Sequence, residues 1–471
     1  MAIQWSGLGP ELLLRLDRGS GRPLLSQLEA GLREAIRSAR LQGGERLPSS
    51  RELARELGIS RGLVQECYGQ LLSEGYLTSQ VGSATRVAMG AYPAAPEPPP
   101  RPAPAPRLIA DFRSGVPDLA SFPRGDWVWA TREACGSMAN LDLDYGDPRG
   151  SAVLRGVLAS YLRRVRAASA EPGQMIVSTG FAQGVILVLR ALAQAGVRCV
   201  AFEDPGYGGA DTSETVRAAE ALGLRAVHVP VDDLGIDVGA LADSGAQVVV
   251  VTPAHQSPTG VVLAARRRHA LVGWANANGG FIVEDDYDSE FRYDREPVGV
   301  LQGLAPGRVF MIGTASKALA PAVRLGWILA PPALAAAVAE EKLINDRGSS
   351  TLDQLVLAAL LESGRYDRHL RRMRGIYGRR RARLIAVLAR HAPGIRLTGL
   401  AAGFHAVAHL PPAVDERAVV AAARERRVGI YGMGHFRATR AAGPPQLVLG
   451  FGQVSERAIE PGIAAVADLL G

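Results

Sequence analysis

The sequence predicts an α/β protein in two parts. A small N-terminal helix-turn-helix unit with a wing precedes a large body, which has a mainly parallel sheet and a small C-terminal α+β subdomain. Three observations predict this. Helical apolar spacing, a glycine turn and capping serines fill residues 21–89. Eight prolines crowd residues 90–107. Beyond them, short apolar runs alternate with helical patterns to the end of the chain, as strands joined by helical crossovers do.

Residues 1–20 are ambiguous, with Leu12, Leu13, Leu14 and Leu16 compatible with a short strand or helix. Pro23 begins a helix in which Leu24, Leu28, Leu32 and Ile36 recur at helical spacing, and Gly43-Gly44 is expected to stop it. Ser49 and Ser50 offer an N-cap to a two-turn helix carrying Leu53, Ala54 and Leu57. Gly58 makes the turn, and Ser60 caps a second helix that turns Leu63, Val64, Cys67, Tyr68, Leu71 and Leu72 inward. Residues 77–87 read as a hairpin with Gly82 near its tip. The helix start at Ser60-Arg61-Gly62 offers free N–H groups, a glycine that admits close approach and an arginine able to reach a guanine edge or a phosphate. Ser49, Ser50 and Arg51 cap a helix that would cross the phosphate backbone, and Gln80, Ser83 and Thr85 suit wing contacts. The unit's charge is nearly balanced, so charge alone leaves a protein-interaction domain equally open.

The proline-rich residues 90–107 favour an extended, semi-rigid spacer and mark a domain boundary. In the body, 108–471, the strand candidates are Gln174–Ser178, Cys199–Glu203, Arg225–Val229, Gln247–Thr252, Phe281–Asp285, Val309–Gly313 and Leu325–Ala330. Helical patterns such as Gly184–Ala195 and Leu263–Asn278 lie between them. The arginine-rich Arg365–Arg390 helix and the strands Phe404–Leu410 and Gln446–Phe451 form the smaller subdomain.

Composition narrows the class. The excess of 53 basic over 46 acidic residues, a net +7, is compatible with an anionic partner or a solvated surface. Cys67, Cys135 and Cys199 show no CxxC spacing, so neither a disulfide framework nor a zinc site is expected, and a reducing cytoplasm is the expected location. No signal peptide is evident, and no apolar run approaches a membrane span.

Ligands of open α/β sheets gather at strand C-termini. Lys317 follows the strand Val309–Gly313, small residues flank it, and Arg324 comes seven residues later. A desolvated lysine can form a Schiff base with an aldehyde, and an arginine can hold a phosphate. Gly180 opens a helix as an anion nest; Tyr207 presents a ring on a turn; the run Glu284-Asp285-Asp286-Tyr287-Asp288 ends another strand. Each has a plain alternative: a helix cap, a turn residue, a solvated acidic turn or a divalent-metal site. His255 in the loop His255-Gln256-Ser257-Pro258-Thr259-Gly260 reads as a structural hydrogen-bonder, and no metal site is expected. Together the set suits one cofactor, pyridoxal 5′-phosphate (PLP): nest and Arg324 for the phosphate, Tyr207 for stacking, Asp285 for the pyridine nitrogen, Tyr287 for the ring hydroxyl and Lys317 for the aldehyde.

Pro23 to Val87 resembles the winged helix-turn-helix of GntR-type bacterial repressors, through Leu47-Pro48-Ser49-Ser50-Arg51, Leu57-Gly58-Ile59-Ser60-Arg61, Tyr68, Glu74-Gly75 and Gly82. The body resembles the fold-type I aminotransferases through Tyr145-Gly146-Asp147-Pro148-Arg149-Gly150, Gly180, Pro258-Thr259-Gly260, Asp285-Asp286-Tyr287, Ser316-Lys317 and Arg324. That resemblance implies a cofactor-anchoring Lys317, with Arg324, Gly180, Phe181, Ala182, Thr314 and Ser316 around the phosphate. It also implies that Tyr145 reaches the phosphate of a partner subunit in a homodimer. Head, linker and body together resemble the MocR-type transcription regulators, which implies a protein that binds operator half-sites in double-stranded DNA and senses PLP or its adduct with an amine or amino acid. A working aminotransferase with an accessory DNA-binding head is the alternative, and a scaffold that never binds cofactor is a third.

Three departures bear on that choice. Ser257 stands where aminotransferases usually place an asparagine. Val448 fills the slot aligned with their substrate-carboxylate arginine, with Arg437 and Arg440 outside the pattern. Gly209 replaces the arginine that GABA-responsive regulators place two residues after the stacking tyrosine. These departures weaken the grip expected on an amino-acid carboxylate and leave PLP itself as a credible effector.

Overall fold

The computed structural model describes residues 14, 16–79, 84–90, 108–207, 213–293, 298–438 and 443–471. The wing tip with Gln80, Gly82 and Ser83, the spacer from residue 91 on, Gly209 and Arg440 lie outside them. The chain divides into two compact units, Met1–Ala105 and Pro106–Gly471.

In the first unit, helix α1 (Leu24–Arg37) buries Leu28, Leu32, Ala35 and Ile36, the i, i+4, i+7 and i+8 positions of one face. It ends well before Gly43-Gly44. Ser38 caps it, and Ala39 takes a positive φ of 55°. Helix α2 (Ser50–Leu57) starts on a complete capping box: Ser49 accepts from the Glu52 N–H while the Glu52 carboxylate accepts from the Ser49 N–H. Gly58, at φ 63°, ends α2 in the left-handed region. Helix α3 (Arg61–Ser73) is capped by Ser60, whose hydroxyl accepts from the Leu63 N–H. Tyr68 Oη donates to the Pro48 carbonyl at 2.9 Å, pinning α3 to the entry of α2. Strands β1 (Leu77–Thr78) and β2 (Arg86–Val87) pair antiparallel as the base of the wing, and Arg46 bridges to Arg86 beside them.

The second unit opens with β3 (Ala110–Asp111) and contains an eight-stranded sheet. Its strands are β4 (Met175–Ser178), β5 (Cys199–Asp204), β6 (Arg225–Asp232), β7 (Gly235–Ile236), β8 (Val248–Val251), β9 (Phe281–Asp286), β10 (Val309–Thr314) and β11 (Gly326–Leu329). The spatial order is β4-β11-β10-β9-β8-β5-β6-β7. The block β10-β9-β8-β5-β6 is parallel, and β11 runs against both neighbours. Every sequence-predicted strand of the body lies in this sheet or in the small subdomain. The central strands begin apolar because both faces are covered, and β5 and β9 turn acidic at their C-terminal ends. Phe310 and Ile312 join the core on one side, with Val185 and Leu189 of the helix Phe181–Gln194. Met311 points the other way, toward Trp327 and Met175.

The C-terminal part adds the sheet β12 (Arg396–Thr398), β13 (His405–His409), β16 (Gln446–Gly450) and β15 (Tyr431–Gly432), all antiparallel. Between β13 and β15, β14 (Val428–Gly429) pairs with β3. The long helix Arg365–His391 ties the pieces together: Tyr377 Oη accepts from the Asp118 N–H at 3.0 Å, and Arg380 pairs with the Asp118 carboxylate at 2.7 Å. Among the described residues, no helix is long and apolar enough to cross a membrane.

The capping box carries a direct test. Ser49→Ala removes one of its two bonds and should cost about 1 kcal/mol. Hydrogen exchange on the full-length protein should then show α2 amide protection falling roughly fivefold, while Ser49→Gly changes it by far less.

Candidate functional site

The C-terminal ends of the parallel strands bring the sequence-predicted residues together. Lys317 lies one turn past β10. Its Nζ donates to the carbonyl of Gly115 at 2.6 Å. Burial lowers its pKa, against the pull of Asp285 and Asp288 in the opposite direction. Gly115 has a φ of 76°, a backbone shape that glycine adopts freely.

The acidic run 284–288 is neither a solvated turn nor a shared metal cage. Each carboxylate is buried and faces a different partner. Glu284 accepts from the N–H groups of Leu301 and Gln302 at 2.9 and 3.1 Å. Asp286 takes both arms of Arg166 at 2.6 and 2.8 Å. Asp288 Oδ2 meets His255 Nδ1 at 2.8 Å. Asp285 is aimed at the Lys317 pocket, and Asp288, whose Oδ1 is without a partner among the described residues, adds its charge there. One of the Asp285 oxygens accepts from the Tyr207 hydroxyl. The other, Oδ1, is buried with no hydrogen-bond partner among the described residues. Burial pushes the Asp285 carboxyl well above its ordinary range, opposed by the Tyr207 hydrogen bond and the Lys317 charge.

Gly180 is the hub of a second cluster. Its φ of 106° turns the chain into the helix Phe181–Gln194. A Cβ there would meet Arg324 Nη1 at 3.6 Å, Thr314 Oγ1 at 3.8 Å and Ser316 Oγ at 3.9 Å. Thr314 Oγ1 donates to Ser316 Oγ at 2.9 Å. Arg324 holds a left-handed backbone at φ 53°, an uncommon state for a non-glycine residue that clusters at ligand sites. A guanidinium, two hydroxyls and a helix N-terminus converging on one backbone point form an anion cradle. Phe181 packs its ring against Tyr207 at 5.3 Å and 30°, and Ala182 is exposed at the helix start.

Tyr287 Oη donates to the carbonyl of His255 at 3.0 Å and lies 3.3 Å from His255 Nδ1. His255, Asp288 and His405 bring ligand-type atoms within 4.8 Å of one another. Both histidines, however, spend a nitrogen on a carbonyl: Gly399 at 3.1 Å for His255 and Pro258 at 3.0 Å for His405. Tyr145 stands apart. Its ring is 73% exposed and faces Arg347 at 4.8 Å. Among the described residues, none of its hydrogen bonds or ring contacts runs to the Lys317 pocket.

PLP fits these donors. The partnerless Asp285 oxygen is an acceptor for a pyridine N–H, the Gly180 cradle suits a dianionic phosphate, and Lys317 is desolvated beside both. The grip on a substrate carboxylate is thinner. Val448 is fully buried against Val407 and Met433. Arg437 is buried too, donating to the Pro444 carbonyl and Gln446 Oε1, both at 2.8 Å. Sequence reasoning missed three supporting groups: Gly115, Arg166 and Lys342. Lys342 is fully buried, and its Nζ donates to Gln183 Oε1 at 2.9 Å in the first turn of the cradle helix. All three act across large sequence separations and leave no local signal.

In the head, Arg51, Ser60, Arg61 and Gly62 are exposed, as is Ser49. Arg61 Nε approaches the half-buried Ser50 Oγ at 3.4 Å, linking the starts of α2 and α3. Nothing lies within 4 Å of a Cβ built on Gly62. Thr85 is half-buried at the foot of the wing, its carbonyl accepting from the Leu47 N–H at 2.9 Å.

Comparison with known proteins agrees with both halves. Residues 24–87 match the gntR family of bacterial regulatory proteins, and residues 111–449 match aminotransferase class I and II. The HTH-type pyridoxine biosynthesis transcriptional regulator PdxR of Corynebacterium glutamicum is 34% identical over 97% of this chain and 98% of its own. The probable rhizopine catabolism regulatory protein MocR of Rhizobium meliloti is 32% identical over 96% of this chain and 94% of its own. Among solved structures, a kynurenine aminotransferase from Pyrococcus horikoshii, in complex with PMP, matches with a TM-score of 0.69 and 25% identity. That match covers 78% of this chain and 91% of the other. With a gntR-type head and a PLP-binding aminotransferase fold on one chain, and relatives of this identity along its whole length, the protein belongs to the MocR-type, GntR-headed transcriptional regulators.

Proposed function

We propose that the body of this regulator is a sensor of PLP, or of its adduct with an amine or amino acid, and that the state of the pocket sets the DNA affinity of the head. The observation that carries this reading is a contrast. The groups expected to hold the cofactor gather around Lys317, Asp285, Tyr287 and the Gly180–Arg324 cradle, with Ser257 in place of the usual asparagine, while the strand position for a substrate-carboxylate arginine is the buried Val448.

The body binds PLP, and when bound the cofactor supplies an electrophilic aldehyde carbon. In this reading Lys317 anchors that carbon, and its lowered pKa leaves more of it in the neutral, nucleophilic form. Asp285 holds the ring nitrogen, Tyr287 the ring oxygen, and Tyr207 covers the ring face. Arg324, Thr314, Ser316, Gly180, Phe181 and Ala182 enclose the phosphate. The head reads DNA through Ser49, Ser50, Arg51, Ser60, Arg61, Gly62 and Thr85, with Gln80 and Ser83 on the wing.

A homodimer completes the reading. Leu141, Leu143 and Tyr145 are 85%, 74% and 73% exposed on one short stretch, apolar surface of the kind an interface covers. A partner subunit would cover it, and Tyr145 would reach that partner's phosphate cradle. Two heads suit two half-sites. The cytoplasm is the compartment proposed, where the three free thiols stay reduced.

The deciding experiment is an operator gel shift with titrated PLP, run beside the visible spectrum and amino-donor turnover. Turnover at ordinary enzymatic rates with operator binding indifferent to PLP would overturn the sensor. Arg61→Ala should abolish specific DNA binding and leave the visible cofactor band intact. Lys317→Ala should remove that band while near-native folding persists by circular dichroism. Tyr207→Phe keeps the ring but removes the donor to Asp285 Oδ2, leaving Oδ1 as the acceptor for the ring nitrogen. Equilibrium titration should show PLP binding weakened about fivefold, the equivalent of one hydrogen bond of about 1 kcal/mol, because that bond favours the charged form of the carboxyl.

A further inference from the structure

We propose that His255 is a positioning residue: an imidazolium clamped between Asp288 and Gly399 that places a fixed positive charge beside Tyr287, on the ring-oxygen side of the cofactor pocket. This rests on the reading of Tyr287 as the partner of the ring oxygen.

The protonation follows from the partners. His255 Nε2 lies 3.1 Å from the Gly399 carbonyl, an atom that only accepts, so Nε2 carries a proton. Nδ1 lies 2.8 Å from Asp288 Oδ2. The third neighbour, Tyr287 Oη, is 3.3 Å from Nδ1, but its own proton is directed to the His255 carbonyl at 3.0 Å. It therefore turns a lone pair toward the ring. Every partner of the ring is an acceptor, which calls for a proton on both nitrogens and leaves no lone pair for a metal. The site is also sealed. A Cβ on Gly403 would fall 2.3 Å from Asp288 Oδ2 and 2.5 Å from His255 Nδ1, so only glycine lets that loop close over the pair.

The surrounding charges agree with this assignment. Burial works against a charged His255, and the Asp288 carboxylate outweighs it, so its pKa is raised. Arg292 opposes the charge from the chain beyond β9. His405, on β13, sets its ring 4.6 Å away, tilted by 45°. Burial and the neighbouring charge of His255 keep His405 neutral, with a pKa well below the ordinary value. Asp285 and Lys317 face the same pocket from the ends of β9 and β10. Burial and the charges of Asp288 and Asp285 hold the Tyr287 hydroxyl well above its ordinary value, so the His255 cation offsets two acids on this side and favours a deprotonated ring oxygen on the cofactor. It thus does from a side chain what the asparagine absent at Ser257 would do with an amide.

Two measurements test this on the full-length protein. In histidine-selective ¹⁵N NMR, His255 should show both nitrogens protonated from about pH 6 to 8, with and without PLP. A singly protonated ring overturns the proposal. In the PLP-loaded protein, His255→Gln should keep the visible band but move its pH midpoint upward by about one unit, because losing a positive charge favours the protonated chromophore. His405→Gln, which removes only a neutral neighbour, should leave the midpoint in place. An unmoved midpoint in His255→Gln, or an equal shift in His405→Gln, overturns the proposal. A failed cofactor assignment would show separately, as a wild-type protein without the visible band, and the NMR result then judges His255 by itself.

Discussion

Four carboxylates within five residues, Glu284, Asp285, Asp286 and Asp288, are buried at the end of β9, and each must be matched from a different direction. A buried charge left without a partner costs several kcal/mol, and a broken buried pair about 3–5 kcal/mol. Glu284 is met by backbone N–H groups at residues 301–302, Asp286 by Arg166 from the helix Ala152–Arg166, and Asp288 by His255 from the loop after β8. Each match draws a separate element to the same strand end. The pocket is what lies between these elements once three of the acids are held from outside it, Asp288 through Oδ2 alone. Asp285 is the one left facing inward.

That arrangement explains why the pocket can be both rigid and specific. Lys317 and the Gly180–Arg324 cradle are set by β10, β11 and the start of one helix, all packed on the same core. Trp327 lies so close over Gly313 that a Cβ there would meet its indole nitrogen at 2.3 Å. Gly326 sits as close to Gly180, with Cα only 2.7 Å from a built Cβ. The backbone around the cradle is therefore held by contact, not by loop chemistry. Such a frame can transmit a ligand's presence only as a difference in affinity between two states of the chain.

Much of this was legible in the sequence, for a physical reason. Strands buried on both faces, such as 309–314, leave continuous apolar runs. Caps such as Ser49 and Ser60, and the glycine turn at Gly58, act within four residues of themselves. Lys317, Asp285, Tyr287 and Arg324 sit on or beside strand ends, where position follows from the strand. What escaped were interactions with no local trace. Gly115 reaches Lys317 across 202 positions, Arg166 reaches Asp286 across 120, and Lys342 reaches Gln183 across 159. The end of α1 escaped for the opposite reason. Two adjacent glycines gave a strong stop signal, but Ser38 and the positive φ of Ala39 had already ended the helix.

The hydrogen bond between Tyr207 and Asp285 has a further consequence. It occupies Oδ2 and leaves Oδ1 without a partner among the described residues, so a ring nitrogen adds a bond and displaces none. The tyrosine also opposes the burial that would neutralise the carboxyl, and so favours the charged form that pairs with a protonated ring nitrogen. An acceptor already turned into place loses little freedom when it is used, so most of the new bond is kept as affinity.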